Sequence, residues 1–273
     1  MTLFSVFNVT SPSREATEKI YTQILEKHTL EFAEDIQGCV PKITQATMNL
    51  YFAVIEKLPR TPVKFHYIFN LRDLSKVVQG MLQSRLQDLD NKATLVYIWI
   101  HETFRVFRDR LVDQADRDKY TKLAHERLEE HLDMEWQVKD FELVLFGDYE
   151  SADKAYIKLS EINALIPRLD QCLEMYNADN APMNLVFFGD CIQHLTRIAR
   201  VLRQARGNAM LVGVGGSGRR SMARLAASMN EMKNFSIEIT KSYKEKEFHE
   251  DIRMLLRKSA LDNIPQVFLF SDT

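Results

Sequence analysis

The architecture of this chain can be inferred from NAMLVGVGGSGRRSMARLAASMN, residues Asn208–Asn230. A short apolar run (208–212) comes first, a glycine-rich segment (Gly213–Ser221) follows, and a helical pattern begins at Met222. Strand, glycine loop and helix in that order form the setting of a phosphate-binding loop. Glycines let backbone N–H groups turn toward one point, and the first turn of the helix adds partial positive charge. The sequence therefore predicts a phosphate-binding loop between a β-strand and an α-helix.

The end of this loop differs from the usual pattern GxxxxGK[ST]. Arg219 takes the lysine position, Arg220 takes the hydroxyl position, and Ser221 comes one residue late. Arginine supplies charge and a two-pronged donor, but it is not interchangeable with lysine and has no acceptor for a metal ion. Ser221 would reach Mg²⁺ only if the loop shifted. We therefore expect a loop that binds ATP or ADP with Mg²⁺ and turns it over slowly or not at all. The candidate nucleotide-binding residues of the loop are Gly213, Val214, Gly215, Gly216, Ser217, Gly218, Arg219, Arg220 and Ser221.

A second apolar run, VFLFSDT (267–273), ends beside an acidic residue. In phosphate-loop proteins a carboxylate at such a place holds Mg²⁺. Two alignments are open. Either Asp272 is the metal-associated acid and Thr273 stands where a catalytic glutamate would be, or Ser271 replaces the acid and Asp272 takes the glutamate position. Each alignment leaves one carboxylate short, so no catalytic residue is assigned, and Asp272 remains a Walker B and Mg²⁺ candidate together with Ser221.

Arg72, in HYIFNLRDLSKV (His66–Val77), begins a predicted helix after an extended segment. Such an arginine can sense a phosphate, or it can be an exposed residue of a first helical turn beside Asp73. The sequence chemistry alone favours the second interpretation.

The first half of the chain predicts helices almost throughout residues 14–135, because apolar residues recur at the helical period between capping and proline signals. A short strand at Leu3–Val9 precedes them, and an extended segment covers Val63–Asn70. The predicted helices are 14–29 after a cap at Ser11–Ser13, 43–58, 71–82 with Asn70 as its cap, 95–112 and 116–132.

The second half predicts strands that alternate with helices, which indicates a parallel sheet. The predicted helices are 156–176, 191–203, one after the glycine loop, and a charged one ending at Lys258. The segment ELVLFGDYES (142–151) predicts a strand followed by a turn, and further strands are predicted at 208–212, 235–240 and 266–273. The fold class that follows is α/β, with a helical part followed by an incomplete parallel sheet.

Composition limits the possible partners. The 273 residues suffice for two domains of about 150 residues each. A net charge of −2 gives no basic face for nucleic acid. The sequence contains neither an apolar run of roughly 18 residues nor a secretory leader, so we expect no membrane association. Three cysteines without metal spacing fit a reducing compartment.

Several segments together resemble the motor region of dynein heavy chains, more closely the axonemal type. The matching segments are KFHYIFNLRDLSKVVQGML (64–82), LVYIWIHETFRVFRDRLVD (95–113), NLVFFGDCIQHLTRIARVLRQARGNAMLVGVGGSGRRSMARLAA (184–227) and VFLFSDT (267–273). Together they span most of residues 60–273 in the order of the family.

The resemblance implies a piece of a six-membered AAA+ ring. Residues 1–30 are expected to end the large subdomain of the third module, 31–145 to form its helical small subdomain, and 146–273 to begin the large subdomain of the fourth. Arg72 then falls on the sensor-2 position of the third module. Arginine at 219 is similar to other axonemal members, whereas Arg220 is a departure that puts nucleotide affinity in question.

The same resemblance implies a regulatory nucleotide site in a minus-end-directed microtubule motor. The expected partners are the remaining AAA+ modules of the same heavy chain, and intermediate chains, light chains and microtubules through the full protein. The expected location is cytoplasm and cytoskeleton, in the axoneme of a cilium or flagellum. Two alternatives stay open: a nucleotide-free scaffold in which Arg219 and Arg220 pair with carboxylates, and an independent P-loop ATPase.

Overall fold

The computed structural model describes residues 5, 7–89, 91–132, 144–240 and 242–271. The chain divides into two compact units. The first contains the residues up to Phe146 together with Ala155–Lys158, and the second contains Gly147–Lys154 and the residues from Leu159 onward.

The first unit is built from helices. Ser13 begins the first of them by accepting a hydrogen bond from the Ala16 amide at 3.1 Å, and Asn70 and Asp73 form a reciprocal capping box at the start of the third. Both caps confirm the sequence prediction. The helices are α1 (Arg14–His28), α2 (Glu34–Lys57), α3 (Leu71–Met81), α4 (Lys92–Val106) and α5 (Gln114–His131), with short 3-10 turns at Leu86–Asp88 and Arg108–Arg110.

The core of this unit lies where α2 packs against α1, α4 and α5. Trp99 on α4 is fully buried, and its indole N–H donates to the Thr47 hydroxyl on α2 at 2.7 Å. The polar atom of the largest core side chain is thereby satisfied. Fully buried aliphatic side chains fill the space around it, among them Ile36, Ile43, Leu50, Val54, Leu74, Val77, Val96 and Ile98.

Helix α2 begins nine residues earlier than the predicted start at 43 and contains Pro41 in its interior. Proline lacks an N–H donor, so its presence argued for a later start. Pro41 points to solvent, while Ile36, Cys39 and Val40 are buried on the opposite face. Burial of that apolar face outweighs the loss of one helical hydrogen bond.

Three other predictions for this unit differ from the structure. In the predicted extended segment Val63–Asn70, residues Val63–His66 form turns instead, with the Tyr67 amide donating to the Lys64 carbonyl at 3.1 Å. Helix α4 ends at Val106 rather than at 112. Phe107 and Leu111, which flank the 3-10 turn that follows, remain buried, so the apolar pattern continues past the end of the helix. In the predicted strand Leu3–Val9, the described residues Ser5 and Phe7–Val9 are not in a strand.

The second unit carries the short parallel sheet. Its strands β3 (Lys233–Ser236) and β4 (Gln266–Leu269) run parallel, with Lys233 opposite Gln266 and Ser236 opposite Leu269. Helix α9 (Glu245–Ala260) connects them. This confirms the parallel sheet that the alternating pattern predicted. The elements from residue 146 onward are β1 (Phe146–Gly147), β2 (Ile157–Lys158), α6 (Ile162–Asp179), α7 (Gly189–Arg203), α8 (Arg219–Met229), β3 (Lys233–Ser236), α9 (Glu245–Ala260) and β4 (Gln266–Leu269).

Several predicted elements of the second half differ from the structure in their bounds. The strand predicted at 235–240 lies at Lys233–Ser236, and the strand predicted at 266–273 covers only Gln266–Leu269 among the described residues. Helix α6 begins at Ile162 rather than at 156, because Ile157–Lys158 belong to β2. Residues 208–212 are not assigned to a strand, and the side chains of Met210 and Val212 are 89% and 80% exposed. A strand exists only through hydrogen bonds to a neighbour, and among the described residues none pairs with this run. No helix in the described ranges combines the length and apolarity that crossing a bilayer requires.

Candidate functional site

The glycine loop has the backbone geometry of an anion-binding turn. Gly216 and Gly218 have φ angles of +77° and +73°, in the left-handed region that side chains with a Cβ rarely adopt. Gly218 is the N-cap of α8, which begins at Arg219. The start of this 11-residue helix, with no side-chain cap, leaves backbone N–H groups of its first turn without intrahelical partners next to the loop.

Open space lies in front of this loop. A Cβ built on Gly215, Gly216 or Gly218 would have no other heavy atom within 4 Å. The loop lines a groove of about 1280 Å³ whose other walls are the end of α7 and the strand β4. Such a groove has room for a nucleotide against the loop.

Arg219 lies across the loop. Its Nη2 donates to the Val214 carbonyl at 3.1 Å, and its Cδ would lie 3.6 Å from a Cβ on Gly213. The half-buried guanidinium is thus held beside the groove by the loop itself. Arg220 is exposed, and Ser221 follows in the first turn of α8, where both line the same groove. All of the predicted loop residues except Val214 line it.

The loop fits the phosphates of a nucleotide by its donors. Backbone N–H groups at a helix N-terminus and one guanidinium are the groups that bind phosphate oxygens, and both are present. The Ser221 hydroxyl is the side chain of the first turn that can approach a divalent ion. Among the described residues, no group of three or more His, Cys, Asp or Glu side chains forms a metal centre.

The predicted metal-associated acid lies outside the residues that the structure describes. Asp272 and Thr273 are not among the described residues, whereas Ser271 lines the groove just after β4. Both alignments of VFLFSDT therefore remain predictions.

Arg72 belongs to the first unit, on the first turn of α3. Its amide donates to the Asn70 side chain at 2.9 Å, and its own side chain is exposed. The neighbouring Asp73 is 2% exposed. Burial alone would raise the pKa of the Asp73 carboxyl, but hydrogen bonds from Arg110 and from the Asn70 amide outweigh burial, so this pKa lies below its ordinary value.

The contact of Arg110 with Asp73 was missed by the sequence analysis. The two residues are 37 positions apart, and both stand in segments rich in alternating charges. Sequence spacing reports neighbours on one helix, but not partners on different elements.

Two known families match this chain. Residues 183–273 match the family described as P-loop containing dynein motor region D4, and residues 43–141 match an AAA+ lid domain. The first match includes the glycine loop, and the second includes Arg72.

Curated relatives are similar along nearly the whole chain. Dynein axonemal heavy chain 2 of Mus musculus is 39% identical over 274 residues and dynein axonemal heavy chain 10 of Homo sapiens is 40% identical over 277 residues, covering 99% and 100% of this chain. The dynein-1-beta heavy chain of the flagellar inner arm I1 complex of Chlamydomonas reinhardtii is 37% identical over 285 residues, covering 99% of this chain. The chain spans about 6% of the length of these relatives.

Proposed function

Because this chain belongs to the dynein heavy chains of axonemal type, as an AAA+ segment of their motor region, we propose that its glycine loop supplies a regulatory nucleotide site to a motor ring. The observation that carries the proposal is the loop itself, with two left-handed glycines, open space in front of them and a helix N-terminus behind. A bound nucleotide would stabilise one arrangement of neighbouring modules through its differential affinity for that arrangement.

Each group of the loop has a part in this proposal. The amides of Gly213–Ser221 and the Arg219 guanidinium bind phosphate oxygens of ATP or ADP, and Ser221 faces the accompanying Mg²⁺. Arg219 must exchange its contact with the Val214 carbonyl for one with phosphate. Asp272 is the proposed metal-associated acid.

Slow or absent hydrolysis is part of the proposal. Arg219 stands where the catalytic lysine of other phosphate loops would be, and Arg220 stands where the metal-binding hydroxyl would be. A site with these replacements holds nucleotide without efficient placement of metal and attacking water. It would act as a brace or a slow switch in the ring.

The division of the chain into modules is also a proposal. We assign residues 1–30 to the end of the third module's large subdomain, 31–145 to its small subdomain and 146–273 to the start of the fourth module. The match to the lid domain and the match to the D4 region support this order. Arg72 would then contact a nucleotide phosphate of the third module.

The partners follow from this placement. The remaining AAA+ modules of the same heavy chain would contact this segment directly, and intermediate chains, light chains and microtubules would be reached through the whole protein. The names of the relatives support a place in the axoneme of a cilium or flagellum, within the cytoplasmic cytoskeleton. The motor activity would be ATP-driven, minus-end-directed movement.

A nucleotide-free scaffold is the second candidate, and one observation favours it. Arg219 already has an acceptor in the loop carbonyl of Val214, so the loop satisfies its own cation. In this alternative the glycine turn serves only to join residues 208–212 to α8.

The test is to count the nucleotides retained by the heavy-chain motor region that carries this segment. Wild type, Arg219→Ala and Arg224→Ala are desalted, and the released ATP and ADP are quantified by chromatography. Arg224 lies one turn later on α8 and provides the same change of charge outside the loop. We expect Arg219→Ala to retain one nucleotide fewer per chain, with Arg224→Ala unchanged. Equal retention by all three would favour the scaffold.

A further inference from the structure

The approach to Arg72 is held by an arginine that lies outside α3. Arg110, in the 3-10 turn after α4, donates from Nη1 to the Ile68 carbonyl at 2.6 Å. It also pairs with both carboxylate oxygens of Asp73, at 2.8 Å from Nη2 to Oδ1 and at 3.2 Å from Nη1 to Oδ2. Its guanidinium carbon lies 5.1 Å from the centre of the Phe69 ring. One side chain thus fixes the strip of backbone on either side of the helix start.

Asp73 links the contacts of Arg110 to the backbone of the neighbouring Arg72. Its Oδ2 accepts from the Asn70 amide at 3.0 Å, while the Asn70 side chain accepts from the Arg72 amide at 2.9 Å. The carboxylate is almost completely buried, so its bonds to Arg110 are shielded from water. The backbone of Arg72 is therefore connected to Arg110 through two short links.

A second set of contacts holds the same strip farther upstream. The Lys64 ammonium contacts Asp113 at 2.6 Å and Asp116 at 2.5 Å. The Tyr67 hydroxyl donates to Asp116 at 2.8 Å and accepts from the Val112 amide at 3.0 Å. The segment that enters α3 is docked along the connection between α4 and α5.

The Arg72 side chain differs from its closely contacted neighbours. It is exposed, and among the described residues no hydrogen bond or ion pair of its guanidinium is recorded. The contacts described above therefore hold the backbone of Arg72 and leave its side chain to rotate in solvent. An arginine loses much rotamer freedom when it binds an anion, and a fixed backbone reduces what remains to be ordered.

We propose that Arg110 is a positioning residue for Arg72, holding the first turn of α3 so that the Arg72 guanidinium is presented to a nucleotide phosphate. Arg110 touches no phosphate in this arrangement. It acts through Asp73 and the capping box. The inference rests on the proposed role of Arg72 as a phosphate sensor, which the first arm of the experiment tests separately.

The experiment is a double-mutant cycle in the heavy-chain motor region that carries this segment. Arg72→Ala, Arg110→Gln and the double variant are compared by the rate of release of a fluorescent ADP analogue. Loss of one charged contact to phosphate speeds release about tenfold or more. We expect Arg110→Gln to produce most of that increase, and the double variant to release no faster than Arg72→Ala.

Arg105→Gln serves as the matched control for stability. Arg105 likewise pairs with a buried carboxylate, Glu102, at 2.7 Å, but it contacts α3 at the Lys76 carbonyl rather than at its first turn. The Arg105→Gln variant should release the ADP analogue within about twofold of the wild-type rate, because the contacts of Arg110 with Asp73 and with the Ile68 carbonyl remain intact.

Each other outcome has a distinct meaning. If Arg72→Ala leaves release unchanged, the sensor role of Arg72 is wrong. If Arg72→Ala speeds release but Arg110→Gln has no effect, positioning by Arg110 is overturned. It is also overturned if the two increases in release rate multiply in the double variant, because the two residues then act independently. Should Arg110→Gln fail to fold, Arg110→Lys keeps the charge without the two-pronged geometry. That variant must give an intermediate increase that disappears in the Arg72→Ala background.

Discussion

The carboxylate of Glu102 on α4 occupies the space in front of Gly80 on α3. A Cβ built on Gly80 would lie 1.9 Å from Glu102 Oε2. The carboxylate cannot easily withdraw, because it is fully buried and is bound by Arg105 at 2.7 Å and by the Tyr156 hydroxyl at 2.8 Å. The closeness of α3 and α4 therefore depends on the missing side chain of one glycine.

We expect Gly80→Ala to destabilise the first unit. Alanine favours helix over glycine, but the forced movement of a buried ion pair costs more, and overpacking of this kind costs about 1–3 kcal/mol. Thermal or urea unfolding measures the change. Gly38→Ala in α2 is the matched control, since a Cβ there would meet nothing within 4 Å. An equal or stabilising effect of both substitutions would contradict the close packing of Gly80 against Glu102.

The hydrogen bond between Trp99 and Thr47 gives a second prediction. Thr47→Val keeps the shape of the side chain but leaves a buried indole N–H without its acceptor, which costs about 1–3 kcal/mol. Thr47→Ser keeps the hydroxyl and loses only a methyl group, so it should be less destabilising. Chemical unfolding monitored by tryptophan fluorescence compares the two variants. A greater loss of stability in the serine variant would show that packing, and not the hydrogen bond, is the dominant contribution at this position.

Acid should weaken the hydrogen bonds that Arg110 and the Asn70 amide donate to the Asp73 carboxylate. The pKa of this carboxyl is lower in the folded chain than its ordinary value of 3.8, so the ionised form stabilises the fold. That contribution is complete well above pH 4 and is lost as the pH falls through 3.8 toward the folded value. We expect Asp73→Asn to lower the unfolding temperature most at neutral pH, with the difference from wild type shrinking below about pH 4.

Asp118→Asn is the control for this pH series. Asp118 is exposed on α5 and accepts only from Gln114, at 2.7 Å, among the recorded contacts of the described residues. The unfolding temperature of the Asp118→Asn variant should be close to that of wild type at every pH measured. A gap between Asp73→Asn and wild type that widened toward acid would mean that the sign of the Asp73 contribution is wrong.

The left-handed glycine at the start of α8 gives a prediction for the loop. Gly218→Val places a β-branched residue at φ +73°, which costs about 1–3 kcal/mol in strain or a change in the loop. Asparagine tolerates this conformation better, so Gly218→Asn should retain more nucleotide than Gly218→Val. Retained nucleotide and thermal unfolding are measured together. Gly215→Ala, at a residue without positive φ, should cost little stability. If Gly218→Val retained nucleotide as well as wild type, the left-handed turn would not be needed for binding.

Local signals in the sequence were sufficient for much of the fold. Ser13 and Asn70 mark helix starts by their side-chain oxygens, and the alternation after residue 208 indicated parallel strands that β3 and β4 confirm. The glycine spacing from Gly213 to Gly218 identified the candidate loop for the same reason. Caps, turns and periodicity involve residues close in sequence, so their physical chemistry is visible in a short window.

Contacts between distant residues needed the folded chain. The interior Pro41 concealed the start of α2, since only the burial of Ile36 and Val40 by other helices explains why the helix continues through it. Likewise, no spacing rule pairs Arg110 with Asp73 or Glu102 with Gly80. Propensity and pattern specify which segments become helices and strands, whereas burial, close packing and ion pairing depend on what tertiary folding places alongside them.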